Sequence, residues 1–358
     1  MSLRKIICLL LTLCFVFSFA GCGQSSPTID DEDQFFADET SSAEPEVEGI
    51  INPLTGIKGL SEERENRRPV AVMINNYSPK SSIAIAQRVQ TGLGKADLVF
   101  ETEVEGGITR LMAVFADPTV VSTLGTIRSA RVAYSDIANG LGAFYVHHGM
   151  DDNYCKPHMS NLGIIHGNIP IDKNNTYTER KANGEATEHT LYTTGEKLLS
   201  YMQKLGYDTE VVVKPFANFA DEKTSITFAE NTCTFASVPF STSFETDFTY
   251  NAETGKYVRG KNKTAFKDYF TGETEEFKNV FVLKANMSNY PIAKYRKVDL
   301  SSGDGYYISG GTYTEIKWTK GNSSDSFKFT KADGTTLTVN AGNSYICITN
   351  KDNNITIE

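Results

Sequence analysis

The pattern of apolar residues changes once along this chain, near residues 215–228, and this change constrains the fold more than any other feature. Before it, short apolar runs alternate with stretches of helical periodicity, as in proteins that pack helices on a mixed sheet. After it, short alternating runs are separated by turn dipeptides, which is typical of small sandwiches and barrels. The sequence therefore predicts an α/β domain with a mixed sheet at 49–220 and an all-β domain, a small sandwich or barrel, at 221–358.

The first half carries identifiable strand, turn and helix signals. Gly106-Gly107 predicts a tight hairpin turn between two strands. Thr193-x-x-Glu196 is typical of a capping box at the start of a helix. The predicted strands are Pro69–Asn75, Ala96–Glu105, Ile108–Phe115 and Ala143–His148, and the predicted helices are Ser81–Leu93, Arg128–Leu141 and one that follows Thr193.

The N-terminus has the features of an exported lipoprotein. Arg4 and Lys5 precede Ile6–Ala20, an apolar run that fits a signal peptide but is shorter than the about 20 residues of a membrane-spanning helix. Small residues then precede Cys22, as in the lipobox of lipoprotein precursors. We expect residues 1–21 to be removed and Cys22 to carry a diacylglyceryl group, whose two chains anchor stably. The predicted location is the extracytoplasmic face of the cell membrane.

Residues 22–48 have the composition of a disordered tether after the lipidated cysteine. They contain nine acidic residues and no basic residue, and such segments cannot bury enough apolar surface to fold. Removing these nine acids and the two basic residues of the signal peptide from the formal net charge of −9 leaves −2 for residues 49–358. A nearly neutral folded part predicts that nucleic acid is not a partner.

Three cysteines follow Cys22, at positions 155, 233 and 347. An odd number without C-x-x-C spacing argues against a disulfide framework. We expect three buried free thiols, and a single Cys233–Cys347 bridge is the alternative.

The candidate ligand site combines three arginines. Arg128 and Arg131 are three residues apart at a predicted helix start, so they would share one helix face. Free backbone N–H groups at a helix start attract anions, and guanidinium groups match phosphate and carboxylate geometry. Arg110, on a neighbouring predicted strand, could join them. This pattern predicts a site for an anionic group.

Internal ion pairs are the alternative role for these arginines. Glu101, Glu103 and Glu105 alternate along the preceding predicted strand and would share one of its faces. Pairs between these carboxylates and the arginines would attach the helix to the sheet without a ligand. Glu103 and Glu105 are also candidate site residues, and the sequence leaves both interpretations open.

Histidines could line the same cleft. His147 and His148 end a predicted strand, and ligands of open α/β sheets bind beyond the carboxyl ends of strands. His189 precedes a predicted helix and is a further candidate, with a turn role as its alternative. His158 and His166 lie in loop-like sequence and are expected to be exposed.

No motif identifies a catalytic class, a metal or a cofactor. The chain has no G-x-S-x-G elbow and no phosphate-binding glycine loop. His147, His148, Asp151 and Asp152 could be taken for metal ligands, but adjacent strand residues point apart, whereas zinc needs three or four converging donors. We therefore predict no metal and no cofactor.

Eight strings of this sequence resemble the YerB-type lipoproteins, a family with paired N- and C-terminal domains of unknown function (DUF3048). The resemblance covers nearly all of residues 50–350, and it implies a lipoprotein in two parts with no established activity. The chain departs from the family pattern at His148, where a small residue is expected. The matching strings are Asn52–Gly56, Arg68–Asn75, Glu105–Arg110, Arg128–Arg131, Tyr145–His147, His189–Tyr192, Gly255–Arg259 and Gly310–Lys320.

These features are compatible with three functional hypotheses. The first is a non-catalytic envelope lipoprotein that binds an anionic ligand at the three arginines, such as a cell-wall precursor, a phosphorylated glycan or the tail of a partner protein. The second is an envelope hydrolase or transferase acting on wall glycan or phosphate esters, with acid–base groups from Glu103, Glu105, His147 or His189. The third is a scaffold whose two halves are protein–protein surfaces.

Overall fold

The computed structural model describes residues 49–77, 87–229, 231–292 and 294–358. The predicted signal peptide, Cys22 and the tether lie outside the described residues. Residues 81–86 of the predicted helix Ser81–Leu93 also lie outside them. Its described part forms a short 3-10 turn, Gln87–Val89, and then a bridge from Thr91 to Gly125.

A ten-stranded mixed sheet forms the centre of the protein. Its inner strands are continuous apolar runs because they are buried on both faces, as the run at Val70–Asn75 predicts. In strand order, the sheet consists of β22 (Lys328–Lys331), β21 (Thr312–Thr319), β20 (Ser302–Ser309), β17 (Asn279–Ala285), β24 (Ser344–Asn350), β4 (Leu98–Glu103), β5 (Thr109–Phe115), β3 (Val70–Asn75), β7 (Phe144–His147) and β8 (His166–Asn168).

The two halves of the sequence share this sheet. β4 from the first half pairs in parallel with β24 from the second, from Leu98 opposite Ser344 to Thr102 opposite Ile348. The change of sequence pattern near 215–228 therefore does not mark a boundary of the sheet, and the described residues from Gly49 onward form one compact unit. The division into domains 49–220 and 221–358 stays a prediction about folding units.

The second half adds a six-stranded sheet that packs on the large one. Ala236 and Val238 of the smaller sheet share a buried apolar cluster with Val280 and Val282 of the larger. This confirms the predicted sandwich, although one of its layers continues into the first half. The six strands are β15 (Thr264–Ala265), β14 (Lys256–Lys261), β13 (Phe244–Asn251), β12 (Phe235–Ser241) and β25 (Thr356–Ile357), with β16 (Glu276–Phe277) paired to β14.

Helices occur only in the first half of the described chain, as the sequence predicts. They cover parts of both faces of the large sheet, so the α/β class with a mixed sheet is confirmed. Within the described residues the α-helices are α1 (Val132–Gly140), α2 (Cys155–Leu162) and α3 (Gly195–Lys204). The remaining strands form small sheets: β1 (Ile50–Ile51) with β2 (Lys58–Leu60), β6 (Leu124–Gly125) with β10 (Leu191–Thr193) and β9 (Glu179–Arg180), β11 (Asn218–Phe219) with β23 (Thr338–Val339), and β18 (Met287–Asn289) with β19 (Arg296–Val298).

Strand direction brings the candidate residues to one side of the large sheet. The pairings make β3, β4, β7, β8, β17 and β24 run the same way. Their carboxyl ends, at residues such as Asn75, Glu103, His147 and Asn168, therefore lie along one edge, which we call the carboxyl edge. Ligands of α/β sheets bind at such edges.

Two predicted helix starts differ from the observed ones. α1 begins at Val132 with Arg131 as its N-cap, so Arg128 precedes the helix and does not share its face. α3 is capped by Thr194, whose hydroxyl accepts from the Lys197 N–H at 3.2 Å, and not by the predicted Thr193. Thr193 instead ends β10 and donates to the Tyr177 carbonyl at 2.7 Å.

The three cysteines of the described chain are free and buried, as expected, and the alternative Cys233–Cys347 bridge is not formed. Among the described residues, no helix has the length and apolar character needed to cross a membrane.

Candidate functional site

The loop that carries Arg128 is fixed across the carboxyl edge by backbone hydrogen bonds. The Arg128 N–H donates to the Met73 carbonyl at 3.0 Å, and the Arg128 carbonyl accepts from the His148 N–H at 3.0 Å. The Ala130 N–H donates to the Gly149 carbonyl at 3.0 Å. Because these bonds join the loop to β3 and to the end of β7, the arginines on it have a rigid support.

Glu105 engages two of the three candidate arginines. Arg131 Nε donates to Glu105 Oε2 at 2.7 Å, and Arg131 Nη2 bonds Oε1 of the same carboxylate. Arg110 Nη2 donates to Oε1 at 3.1 Å, and its Nη1 donates to the Ser129 carbonyl at 2.5 Å. Internal ion pairs are therefore present for Arg110 and Arg131, and they fix the hairpin after β4 to the start of α1.

The charges of this cluster are incompletely balanced. Burial lowers the pKa of Arg110 to about 10, and the neighbouring Arg131 lowers it further while Glu105 opposes the change. Although burial alone would raise the pKa of Glu105, the hydrogen bond from Arg131 and the charge of Arg110 hold it below its usual value. Three guanidinium groups around one ionised carboxylate leave a formal charge of +2.

Arg128 is the one of the three arginines that makes no direct ion pair with a carboxylate of the described chain. Its half-buried side chain donates from Nη1 to the Glu188 carbonyl at 2.8 Å. Its Nε is buried and has no hydrogen-bond partner, and no carboxylate of the described chain lies within 4 Å of it. Burial lowers the pKa of Arg128, with the charge of Glu188 opposing the change. The guanidinium makes one hydrogen bond to the described residues, so further N–H groups at its end remain for a ligand or water.

The first turn of α1 adds donors beside these arginines. The N-cap Arg131 makes no side-chain capping bond. The N–H groups of Val132, Ala133 and Tyr134 have no acceptor among the described residues. Such amides, together with the helix dipole, favour an anion at this end of the helix.

Glu103 forms its ion pair with Arg296 and not with any of the three candidate arginines. It is nearly buried at the end of β4, where Arg296 Nη2 of β19 lies 2.7 Å from its Oε2. Burial raises the pKa of Glu103, and the charge of Arg296 opposes the shift. The hairpin that carries Arg296 also places the Tyr295 ring 5.0 Å from the Arg131 guanidinium carbon. Glu103 is thus part of a second ion pair beside the cluster.

His147 is buried and engaged on both ring nitrogens. Nδ1 lies 2.8 Å from the Gly149 carbonyl, so it donates there, and Nε2 then accepts from His166 Nδ1 at 3.0 Å. Burial, and next the proximity of His166, lower the pKa of His147 to about 3. The expected exposure of His158 and His166 is wrong, because both are half-buried, in α2 and β8 respectively.

His189 lies close to Arg128. It ends a 3-10 turn, Thr187–His189, whose Glu188 carbonyl accepts from Arg128. Its Nδ1 accepts from the Asn75 side-chain amide at 3.0 Å, at the carboxyl end of β3. Burial lowers the pKa of His189, and the charge of Arg128 lowers it further. The structure therefore joins Arg128 and His189 through one turn, while His147 lies in a separate hydrogen-bonded pair.

Within the described residues, no group of three or more His, Cys, Asp or Glu side chains could hold a metal ion. The candidate acid–base groups are also engaged: Glu103 by Arg296, Glu105 by two arginines, and His147 by His166 and Gly149.

A larger buried polar network was missed by sequence reasoning. Arg259 of β14, 1% exposed, bonds Glu275 at 2.8 Å and Gln90 at 2.7 Å. Its Nη2 donates to Asn76 at 2.9 Å, and Asn76 donates in turn to Glu101 at 2.7 Å. The network joins the six-stranded sheet to the ten-stranded sheet. The sequence feature that could have indicated this network is Arg259, a charged residue inside a predicted strand region, at the end of the string Gly255–Arg259.

The lowered pKa of His147 predicts an acid-sensitive contribution to stability. The neutral ring is favoured in the folded state, so its contribution is present above the unfolded-state pKa of about 6.5 and is lost as pH falls towards 3. His147→Asn should reduce the loss of unfolding free energy between pH 6 and 4 by up to about 1 kcal/mol per pH unit. Urea titrations at successive pH values measure this slope.

His158→Asn is the matched control for that series. The hydrogen bond from His158 to Asp136 raises the His158 pKa, so its contribution to stability is already fully present below the unfolded-state pKa of about 6.5, and its removal should leave the slope between pH 6 and 4 nearly unchanged. A slope unchanged in His147→Asn would show that His147 is not held neutral.

Comparisons with known proteins agree with this architecture. The model of the N-terminal domain of DUF3048, proteins of unknown function, matches residues 54–208, and the model of its C-terminal domain matches residues 236–346. The chain is 29% identical to the Bacillus subtilis protein described as "Putative lipoprotein YerB" over 274 residues, which are 75% of this chain and 78% of that protein. It superposes on the crystal structure of Bacillus subtilis YerB with a TM-score of 0.70 and 26% identity, covering 86% of this chain and 99% of that one. The resemblance of the sequence strings is thus confirmed, and the chain belongs to the DUF3048 family, together with YerB.

Proposed function

We propose that this protein is a non-catalytic envelope lipoprotein that binds an anionic group, a phosphate or a carboxylate, at Arg128 and the first turn of α1. The description of its relative as a lipoprotein supports the envelope location. The signal-like residues 1–21 and the small residues before Cys22 support lipidation at that cysteine and anchoring at the extracytoplasmic face of the cell membrane.

The observation that carries this proposal is the unbalanced charge of Arg128. Its guanidinium contacts only a carbonyl oxygen in the described chain, and its buried Nε has no partner. The exposed Glu188 carboxylate acts on this half-buried cation only without direct contact, so an anion bound to the guanidinium would recover free energy that the protein alone does not supply. Charge-assisted hydrogen bonds from such a group are the strong ones.

Glu105, Arg110 and Arg131 have a supporting role in this proposal. Their mutual bonds orient the start of α1, whose unfilled N–H groups lie next to Arg131. The excess positive charge of the cluster and the dipole of α1 have the same sign, so both attract an anion to this place. His189, against the same turn as Arg128, would line the site.

The class of ligand is inferred from this chemistry and from the proposed location. Candidates are cell-wall components that carry phosphate or carboxylate groups and the anionic tail of an envelope protein. Nucleic acid is not part of the proposal, because residues 49–358 carry a formal charge of only −2.

Arg128→Gln tests the proposal directly. The substitution removes the charge and the Nη donors without breaking an ion pair, so the fold should be kept. Because one charge-assisted bond contributes about 1.5–3 kcal/mol, affinity for glycerol 3-phosphate should fall about ten- to hundredfold. Calorimetric titration of the wild type and the variant measures this ratio.

The matched control is Arg67→Gln. Arg67 is also half-buried and also donates to a carbonyl, that of Asp208 at 3.4 Å, but it is not part of the cluster. The Arg67→Gln variant should bind glycerol 3-phosphate with the affinity of the wild type. The proposal is wrong if neither glycerol 3-phosphate nor acetate binds the wild type, or if Arg128→Gln binds them as tightly.

A further inference from the structure

A cavity lies beside α1, away from the three arginines. Its volume is about 460 Å³, within the range of small-ligand pockets. Its walls come from α1, from the β18–β19 hairpin and from the loop after β21. Charged groups on these walls include Asp136, Lys297, Asp299 and Lys320. None of Arg110, Arg128 and Arg131 lines it, so binding in this cavity is independent of the proposed function.

Lys320 places a buried ammonium group on one wall. The residue is 3% exposed, and its Nζ donates to the carbonyls of Asn322 at 2.9 Å and Ser323 at 2.7 Å. An ammonium has three donors, so one N–H has no acceptor among the described residues. No carboxylate oxygen of the described chain lies within 4 Å of Nζ. A buried lysine without a counterion is rare in proteins.

The ionisation of Lys320 reflects this environment. Burial lowers its pKa to about 8, and the charges of Asp136 and Asp325 oppose the shift. The ammonium is thus still the main form at neutral pH, where it can meet a carboxylate.

Asp136 provides an acidic group about one helical turn away. Lys320 Nζ would lie 3.0 Å from a Cβ placed on Gly140, so the ammonium touches α1 at that residue. Asp136 and Gly140 are four residues apart and therefore share a helix face. Asp136 Oδ1 accepts from His158 Nε2 at 2.6 Å, while Oδ2 has no donor among the described residues.

We infer that this cavity binds a zwitterionic ligand of amino-acid or dipeptide size, with its carboxylate on Lys320 and its ammonium on Asp136. Each charged wall group has one unused hydrogen-bonding position, and the two have opposite sign. Ser288 and Ser301, also on the walls, add hydroxyl groups that suit a peptide backbone. A purely anionic ligand would meet Asp136 and Asp299, and a purely cationic one would meet Lys320 and Lys297.

The test titrates the full chain with alanyl-alanine and two blocked forms of it, the N-acetylated peptide and the C-terminal amide. Calorimetry should show that the free dipeptide binds and that each blocked form binds at least tenfold more weakly. This comparison uses the wild type alone, so it holds even if a variant fails to fold. Absence of binding by the free dipeptide, or equal binding of all three peptides, overturns the inference.

Two variants assign the ends of the ligand. Asp136→Asn should weaken binding of the free dipeptide at least tenfold and leave the weaker binding of the N-acetylated peptide unchanged. Lys320→Met should weaken binding of the free and the N-acetylated peptides but leave binding of the amide unchanged. The exposed neighbours Asp304→Asn and Lys317→Met are the matched controls and should bind as the wild type does. Free-dipeptide binding that neither Asp136→Asn nor Lys320→Met reduces would place the ligand elsewhere and contradict the inference.

Discussion

Arg259→Met is expected to destabilise the protein by about 3–5 kcal/mol, the cost of leaving a buried charge without its partner. Arg259 and Glu275 are each 1% exposed and lie 2.8 Å apart. The guanidinium also lies over the Phe266 ring, with 4.4 Å from its carbon to the ring centroid. Methionine would retain the apolar contact but leave Glu275 and Gln90 Oε1 without their donor, and Asn76 Oδ1 would keep only the bond from Gln90. Chemical unfolding of wild type and variant measures the difference.

A double variant separates the buried charge from the rest of the network. Adding Glu275→Gln to Arg259→Met removes the uncompensated carboxylate, so part of the lost stability should return. Lys328→Met, at an exposed strand position, is the control and should change stability by no more than about 0.5 kcal/mol. A loss of less than about 1 kcal/mol in Arg259→Met would show that the network of Arg259 is not a main link between the two sheets.

Gly195→Ala should destabilise the protein by about 3 kcal/mol, at the upper end of the usual effect of overpacking. Gly195 is the first residue of α3, and a Cβ there would lie 1.7 Å from the Pro118 carbonyl oxygen and 2.9 Å from Thr119 Cα. Both are backbone atoms, so the helix or the loop must move. The bond from the Gly195 N–H to the Val121 carbonyl, 2.9 Å long, would be strained by the same movement. Thermal and chemical unfolding both report the effect.

The matched control is Gly94→Ala. A Cβ at Gly94 would meet no atom within 4 Å, and its backbone is not in the left-handed region. Alanine there should leave stability unchanged or raise it by about 0.4–1 kcal/mol through the unfolded state. Equal effects of the two substitutions would contradict the close approach of α3 to the Pro118 loop.

Most strands could be predicted because their signal is local. Alternation and short apolar runs indicated β3, β5 and β7 within a few residues of their observed bounds. The pairing of β24 with β4 could not be predicted in this way. Leu98 and Ser344 are far apart in the sequence, and no local pattern states which buried strand lies beside which. The shared sheet is therefore the part of the fold that sequence patterns could not supply.

The start of α1 shows how tertiary contacts override local preference. The sequence around Arg128 is compatible with a helix, but its N–H is used by the Met73 carbonyl of β3. The Arg128 carbonyl, which a helix would use for the N–H of Val132, accepts from the His148 N–H instead, and Arg131 is extended with φ −137° and ψ 151°, so the helix begins at Val132. Arg128 and Arg131 therefore meet through the loop and not through a helical repeat.

The partners of Glu101, Glu103 and Glu105 could not be predicted from the sequence pattern either. A period of two places Glu101, Glu103 and Glu105 on one face, but β4 ends at Glu103 and Glu105 lies in the hairpin turn. Glu105 is thereby free to reach Arg110 and Arg131. Glu101 instead accepts from Tyr345 at 2.6 Å and Thr246 at 2.8 Å inside the sandwich. Three similar residues thus acquire three different partners, which only the fold decides.

The most direct test of anion binding at Arg128 is a titration with inorganic phosphate followed by the backbone amide resonances of α1. We predict saturable shifts of the Ala133 and Tyr134 amides in the wild type and in Arg67→Gln, and their loss in Arg128→Gln. Resonances of this turn that stay unmoved in the wild type, or that move equally in Arg128→Gln, would contradict the proposed site.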